Sequence, residues 1–268
     1  ERARKKEDIQ TRQINDTKGR DKFRIYGELI NTYGYNIKEG DKSLTALNYY
    51  TNEEINIPLD SSLSPSENAV KYFNRYNKLK RTYEATTIQL KETEDEIAHL
   101  ESVATSLDIA VSEEDLSQLK MELADSGYIK KTYNNNKKIK VTSKPFHYIS
   151  SDGYDIYVGK NNYQNDELTF KFAKGDDFWF HVKGMAGSHV ILKTNGKNQE
   201  EIPDRAFEEA ASLAAYYSKG QSQDKVEVDY VLKKEIKKPA AAKPGFVVYY
   251  TNYSLIASTD ISKLVQCQ

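Results

Sequence analysis

The 268 residues suffice for one or two domains, and 38% hydrophobic against 29% charged residues suits an elongated globular protein better than a compact sphere. No apolar run approaches the roughly 18 residues that a membrane span needs. No secretory signal opens the chain, and the single cysteine, Cys267, excludes an internal disulfide and favours a reducing compartment. The net charge of −1 hides a split: residues 1–128 carry 18 Lys and Arg against 24 Asp and Glu, and residues 129–268 carry 21 against 16. Polyanion contacts are therefore expected in the C-terminal half, because Lys and Arg supply phosphate affinity. Residues 82–128, with two basic residues against twelve acidic ones, are expected to meet protein instead.

In chain order, residues 1–20 favour a polar helix anchored by Ala3, Ile9 and Ile14, which would fray without tertiary support. The chain opens on Glu1 inside this charged stretch and reads as a piece of a longer protein. Phe23, Tyr26, Ile30 and Tyr33 share one face of a second helix, which Gly34 and Gly40 end. LTALNYY and INIPL flank Thr51 and Asn52 as a hairpin within 43–59. Ser64, Pro65 and Glu67 combine N-cap, first-turn proline and capping-box acid. Beyond them, Ala69, Tyr72, Tyr76, Leu79, Tyr83, Thr86, Leu90, Thr93, Ile97, Leu100, Ala104 and Leu107 recur at spacings of three and four. That predicts a coiled-coil helix of roughly 40 residues and about 60 Å, weakest at its two threonines. A shorter helix, Glu113 to Ala124, closes at Gly127. The expected arrangement is an antiparallel arm with a small cap, whose Tyr26, Tyr33, Tyr35, Tyr49 and Tyr50 offer a docking tip on an otherwise plain spacer.

Lys130 to Lys144, with six lysines, no acid and Asn134 to Asn136 as breaker, reads as a linker. Strands follow at Tyr154 to Val158, Phe178 to Val182 and Val190 to Leu192, with a short polar helix after Gly159. Pro203 to Lys219 is an Ala-rich amphipathic helix with Phe207, Ala210, Ala211, Ala214 and Tyr217 on one face. Val226 to Leu232, Phe246 to Tyr250 and Ser254 to Ala257 complete the predicted strands. Strands with two helices outside a βαβ rhythm favour α+β. The predicted organisation is a coiled-coil and cap region at 1–128, a basic linker at 129–144 and an α+β domain at 145–260.

Three constellations carry candidate chemistry. His181 and His189 stand on either side of a Gly-rich turn, and on an antiparallel hairpin their rings could share a face, with Asp166, Asp176 and Asp177 as further oxygens. Two His without a tightly spaced third ligand fall far short of a metal signature, and no nucleophile–base order is present, so neither a metal nor a catalytic site is assigned. Hydrogen bonding to the Gly-rich turn, or contact with phosphate, is the plainer role for these two rings. The second constellation is lysines (Lys137, Lys138, Lys140, Lys160, Lys183, Lys233, Lys234, Lys237, Lys238, Lys243) around Trp179, many tyrosines and a run of amides. Single-stranded RNA is read by stacking on rings and hydrogen bonding to amides, with lysine on phosphate. The competing reading is a solvated basic face over an aromatic core. The third is KKPAAAKPG, either an RNA anchor or a charged loop that keeps a sheet edge from pairing.

GKNNYQND, DDFWFH and GSHVIL, in that order, resemble the RNA-binding-type domain of the NFACT proteins, and YGELI, IPLD, SPSENAVKYFNRYNKLK, LAAYYSK and KKPAAAKPG extend the likeness over most of the chain. The match is nearest to bacterial members. Two turns depart from the family pattern, at Met185 and Ala186 and at Ala240 and Ala241. The resemblance implies a non-enzymatic factor without cofactor that binds the large ribosomal subunit and tRNA when a peptidyl-tRNA has stalled. It also implies a cytoplasmic setting in which the ribosome adds a C-terminal alanine tail. The family's N-terminal and helix-hairpin-helix parts would be missing from this chain. On this reading the nucleic-acid-binding residues are Lys160, Asn161, Asn162, Gln164, Asn165, Asp166, Trp179, His181, Lys183, Ser188, His189, Lys237, Lys238 and Lys243. The streptococcal members' name offers an alternative, a cell-surface module that binds fibronectin.

Overall fold

The computed structural model describes residues 1–130 and 143–267, so most of the predicted linker, with Lys137, Lys138 and Lys140, lies outside the described residues. The protein is mixed α+β and divides into two compact units, Glu1–Ile97 and Ala98–Gln268. No helix among the described residues is long and apolar enough to cross a membrane.

The first unit contains helices α1 (Arg2–Asp16) and α2 (Asp21–Tyr33), the hairpin β1 (Ser43–Asn48) and β2 (Glu53–Pro58), and the start of the 45-residue helix α3 (Pro65–Ile109). The hairpin turns at Asn52, whose φ of 56° is the left-handed conformation that Asn tolerates. Leu29 and Ile30 of α2 pack on Leu44, Ala46 and Ile57 of the hairpin and on Ala69. Ser64 caps α3 as its sequence signature predicts: the Glu67 N–H donates to Ser64 Oγ at 3.3 Å, and the Ser64 N–H donates to Glu67 Oε2 at 2.8 Å. The expected anchor Ile9 is exposed, and Gln10 beside it is buried. Arg20 fixes the end of this segment by stacking its guanidinium 4.1 Å over the Tyr83 ring.

The predicted seam of α3 holds through Thr86 and Thr93, both buried, and then changes face. Ala104 and Leu107 are exposed, whereas His99, Val103, Thr105 and Ser106 are buried. The helix keeps its period, but from Ala98 onward it belongs to the second unit and turns a different stripe inward.

In the second unit, α4 (Glu113–Asp125) starts on a Ser112–Asp115 capping box. A seven-stranded antiparallel sheet follows, in the order β8-β7-β5-β6-β4-β3-β9. Its strands are β3 (Phe146–Ile149), β4 (Asp155–Val158), β5 (Phe178–Val182), β6 (Val190–Leu192), β7 (Lys225–Leu232), β8 (Tyr253–Ser258) and β9 (Val265–Gln266). The sequence reading missed β3 and β9. It also placed a strand at Phe246 to Tyr250, where the chain makes only a single bridge, Lys237 to Val248. Gly245, at φ +82°, turns the backbone there, and Val247 and Tyr249 pack on the face of the sheet rather than extending its edge.

Strand alternation sorts β5 by face. Phe178, Phe180 and Val182 join the core against helix α6 (Asp204–Tyr216), which buries Phe207, Ala210, Ala211 and Ala214 as its pattern predicts. Trp179 points the other way, into a smaller core with Ile191, Val231, Leu168 and Ile236. On that second face the short helix α5 (Asn162–Glu167) continues into a π-helical turn, Leu168–Phe172.

Candidate nucleic-acid interface

The rings singled out in the sequence do meet. Trp179 and His181 lie two residues apart on one face of β5, with ring centroids 5.6 Å apart and planes within 16°. His189, at the mouth of β6, stands edge-on to both, 5.0 Å from Trp179 and 5.6 Å from His181. Thr169 of the π turn bonds His189 Nδ1 at 2.8 Å, and the His189 N–H donates to Asn165 Oδ1 at 3.0 Å. Trp179 and His189 are buried, and His181 is half-buried. Burial lowers the His181 pKa to about 4 and drives that of His189 well below the usual range, so both rings are neutral at neutral pH. Tyr249 completes the cluster, 5.4 Å from Trp179. Its hydroxyl donates to Asp229 at 2.9 Å, and burial together with that bond raises its pKa.

These groups floor a cleft of about 310 Å³. The turn from Gly184 to Gly187, the Phe246–Tyr249 segment and Ala98, Glu101 and Ser102 of α3 form its walls. Glu101 pairs with Lys219 at 3.2 Å.

The amide run has a different placement. Asn161, Asn162, Gln164 and Asn165 are all buried and bonded within the unit. Asn161 caps α5, accepting from the Gln164 N–H at 3.0 Å, and donates to Gln118 at 2.6 Å. Asn162 donates to Glu122 at 2.7 Å and accepts from Ser102 at 2.6 Å. Gln164 donates to Gln118 at 2.9 Å and to Ser143 at 2.7 Å. Lys160 forms a buried ion pair with Asp115, and Ser188 donates to the Gly159 carbonyl at 2.5 Å. These side chains join α5 to α3 and α4, and their hydrogen-bonding capacity is used internally.

The remaining candidates sit at the surface. Lys183 pairs with Glu227 at 2.6 Å. Lys237 is exposed, Lys238 pairs with Asp166, and Lys243 lies over the Tyr128 ring at 5.7 Å. Asp166 also accepts from the Gly245 N–H at 3.0 Å, which ties the lysine loop to α5. Asp177 is held by Lys193 and the Thr194 N–H. Among the described residues no three His, Cys, Asp or Glu gather in metal-holding geometry.

The sequence reading missed Glu101 and Ser102 on the cleft wall, and it missed Asp115, Gln118 and Glu122 as the partners of Lys160 and the amide run. A signal for part of it was present, since Asp115, Gln118 and Glu122 fall at spacings of three and four and so share one face of α4.

A family model described as the NFACT N-terminal and middle domains matches residues 1–142, and one described as the NFACT protein RNA binding domain matches residues 144–251. The chain belongs to the NFACT family. It is 41% identical over 250 residues to the Rqc2 homolog RqcH of Streptococcus suis, covering 93% of this chain and 44% of that protein. It is 27% identical over 177 residues to the ribosome quality control complex subunit 2 of Saccharomyces cerevisiae, covering 65% of this chain and 15% of that one. Among solved structures it is similar to the C-terminal part of the fibronectin/fibrinogen-binding protein of Streptococcus suis, with a TM-score of 0.74 and 35% identity over 96% of this chain and 88% of that one. The chain thus spans under half the length of the RqcH protein it matches.

Proposed function

We propose that this chain is the non-catalytic RNA- and ribosome-binding part of a cytoplasmic ribosome quality-control factor. In this reading the whole protein works on a large subunit carrying a stalled peptidyl-tRNA and supports C-terminal alanine tailing. The observation that carries the reading is the match of residues 144–251 to the family's RNA binding domain. The positive balance of residues 129–268 and the exposed Lys237 and Lys238 support it. Of the residues expected to touch RNA, His181, Lys183, Lys237, Lys238 and Lys243 are at least partly exposed, which supports the reading. The buried amides serve instead as the frame that holds the ring cluster.

A second reading, a surface module that binds fibronectin, is favoured by the name of the streptococcal protein whose C-terminal part is similar in structure. Titration of the chain with tRNA and with fibronectin in one buffer separates the two. The first reading expects tRNA binding that weakens with salt. Fibronectin binding without RNA binding would overturn it.

A further inference from the structure

We propose that the free edge of β8, with the groove between it and α6, docks an extended basic peptide of a protein partner. The peptide adds to the sheet as an antiparallel strand and sets an apolar side chain in the groove, with lysine or arginine two residues to either side. The inference is independent of the RNA-binding reading. β8 ends the sheet order, so its outer side has no strand partner among the described residues. The Thr259 N–H donates to the Asp224 carbonyl, and in the register of β7 and β8 this makes Tyr253, Leu255 and Ala257 the residues that bond to β7. The N–H and C=O groups of Ser254, Ile256 and Ser258 therefore point outward. Natural sheets blunt such an edge with charge, proline or a bulge, and Tyr253–Ser258 carries none of these. Ile256 is 72% exposed.

Leu255 and Ala257 pack with α6, and a groove of about 470 Å³ opens between that helix and the edge. Phe207, Tyr230 and Leu255 supply its apolar lining. Asp204 and Glu208, four residues apart on one face of α6, form a wall, and neither carboxylate has an ion-pair partner among the described residues. Against them the lining sets one cation, Lys225. Residues 199–209 add to the negative balance, with five acidic side chains against Arg205, which already pairs with Asp152. Charge therefore selects a cationic segment. Alternation selects its pattern: peptide residues opposite Tyr253, Leu255 and Ala257 send their side chains toward α6, which gives basic, apolar, basic at every second position.

The probe is a fluorescein-labelled peptide, Thr-Lys-Thr-Val-Thr-Lys-Thr, titrated with the whole chain and followed by anisotropy without RNA. Its controls are the counterpart with both lysines replaced by glutamate and the same peptide methylated at its threonine nitrogens, which face β8. The lysine peptide should saturate at about tenfold lower concentration than the glutamate one. Methylation should abolish binding. Glu208→Lys, at an exposed position of α6, should weaken the lysine peptide about tenfold, which separates this site from the acidic 82–128 stretch. No binding, equal affinity for lysine and glutamate peptides, or indifference to methylation or to Glu208→Lys overturns the proposal. Sedimentation without peptide should show a monomer. A dimer that Ile256→Lys splits would assign the edge to a second copy and overturn it as well.

Discussion

Asn162 and Glu122 meet in the interior of the second unit, where the amide donates to the carboxylate at 2.7 Å and both side chains are almost fully buried. Ser102 donates to the other end of the same amide at 2.6 Å, so Asn162 links α3, α4 and α5. Burial raises the Glu122 pKa, an effect that the bonds from Asn162 oppose. Asn162→Leu would leave a buried carboxylate without this donor, and we predict a loss of about 2–3 kcal/mol in urea unfolding. Glu122→Gln should cost less, and the double variant should show a coupling of about 1 kcal/mol or more.

Lys160 and Asp115 form a second buried contact, with the ammonium 3.3 Å from both carboxylate oxygens. Burial pushes the Asp115 carboxyl up, but bonds from Ser143, the Val111 N–H and Lys160 together hold it below its ordinary value. Lys160→Ala removes one partner and strands the other, for a predicted loss of about 3 kcal/mol. Replacing a surface partner, as in Lys183→Ala, should change stability by less than about 1 kcal/mol. Equal effects from the two substitutions would refute this account of the α4–α5 contact.

Gly245 joins the lysine loop to the ring cluster. Its φ of +82° disfavours any side chain, and a Cβ there would overlap Asn162 Oδ1. Gly245→Ala is predicted to cost about 2 kcal/mol or more and to speed hydrogen exchange around 236–249. Gly153→Ala, also at positive φ but with open space around it, should cost only about 1 kcal/mol.

The buried histidines predict an acid-labile second unit. The pKa values of His99 and His181 are lowered to about 4, chiefly by burial, with Lys243 adding to the effect at His99. Because the folded values lie below the unfolded one, the unfolded chain takes up protons first as the pH falls. Stability from these rings is therefore full above pH 6.5 and declines down to about pH 4, by roughly 3 kcal/mol per ring at most. Glu122, whose folded pKa is raised, works in the opposite sense and gains stability as the pH falls toward its unfolded value. Urea midpoints measured between pH 7 and pH 4 should fall for the wild type and fall less for His99→Gln.

Much of this architecture was legible in the sequence because local rules agree with tertiary demands. Phe178 to Val182 reads as a strand and is one, Ser64 to Glu67 marks the start of α3, and the Ala-rich face of α6 is the buried one. The approach of His181 and His189 was also expected from the sequence, and Trp179 joins them because alternation along β5 puts it on the face of His181. The amides were misleading for a physical reason. Polarity identifies a group that needs hydrogen bonds, but only the fold decides whether water, a ligand or another side chain supplies them. Here Gln118, Glu122 and Ser102 do so. The same applies to the seam of α3, where unbroken periodicity conceals a change of partner at Ala98, and to Phe246 to Tyr250, where an apolar run lies on a sheet rather than joining it.

The most direct test of the RNA-binding claim is the salt dependence of the chain's affinity for single-stranded RNA, measured by anisotropy for the wild type and for Lys237→Ala with Lys238→Ala. The account predicts a linear fall of log affinity with log salt, at a slope of about −0.7 for each phosphate neutralised. The double variant should bind more weakly and flatten that slope by about 1, with Lys237 contributing more because Lys238 already pairs with Asp166. An affinity indifferent to salt, or a slope untouched by both substitutions, would contradict it.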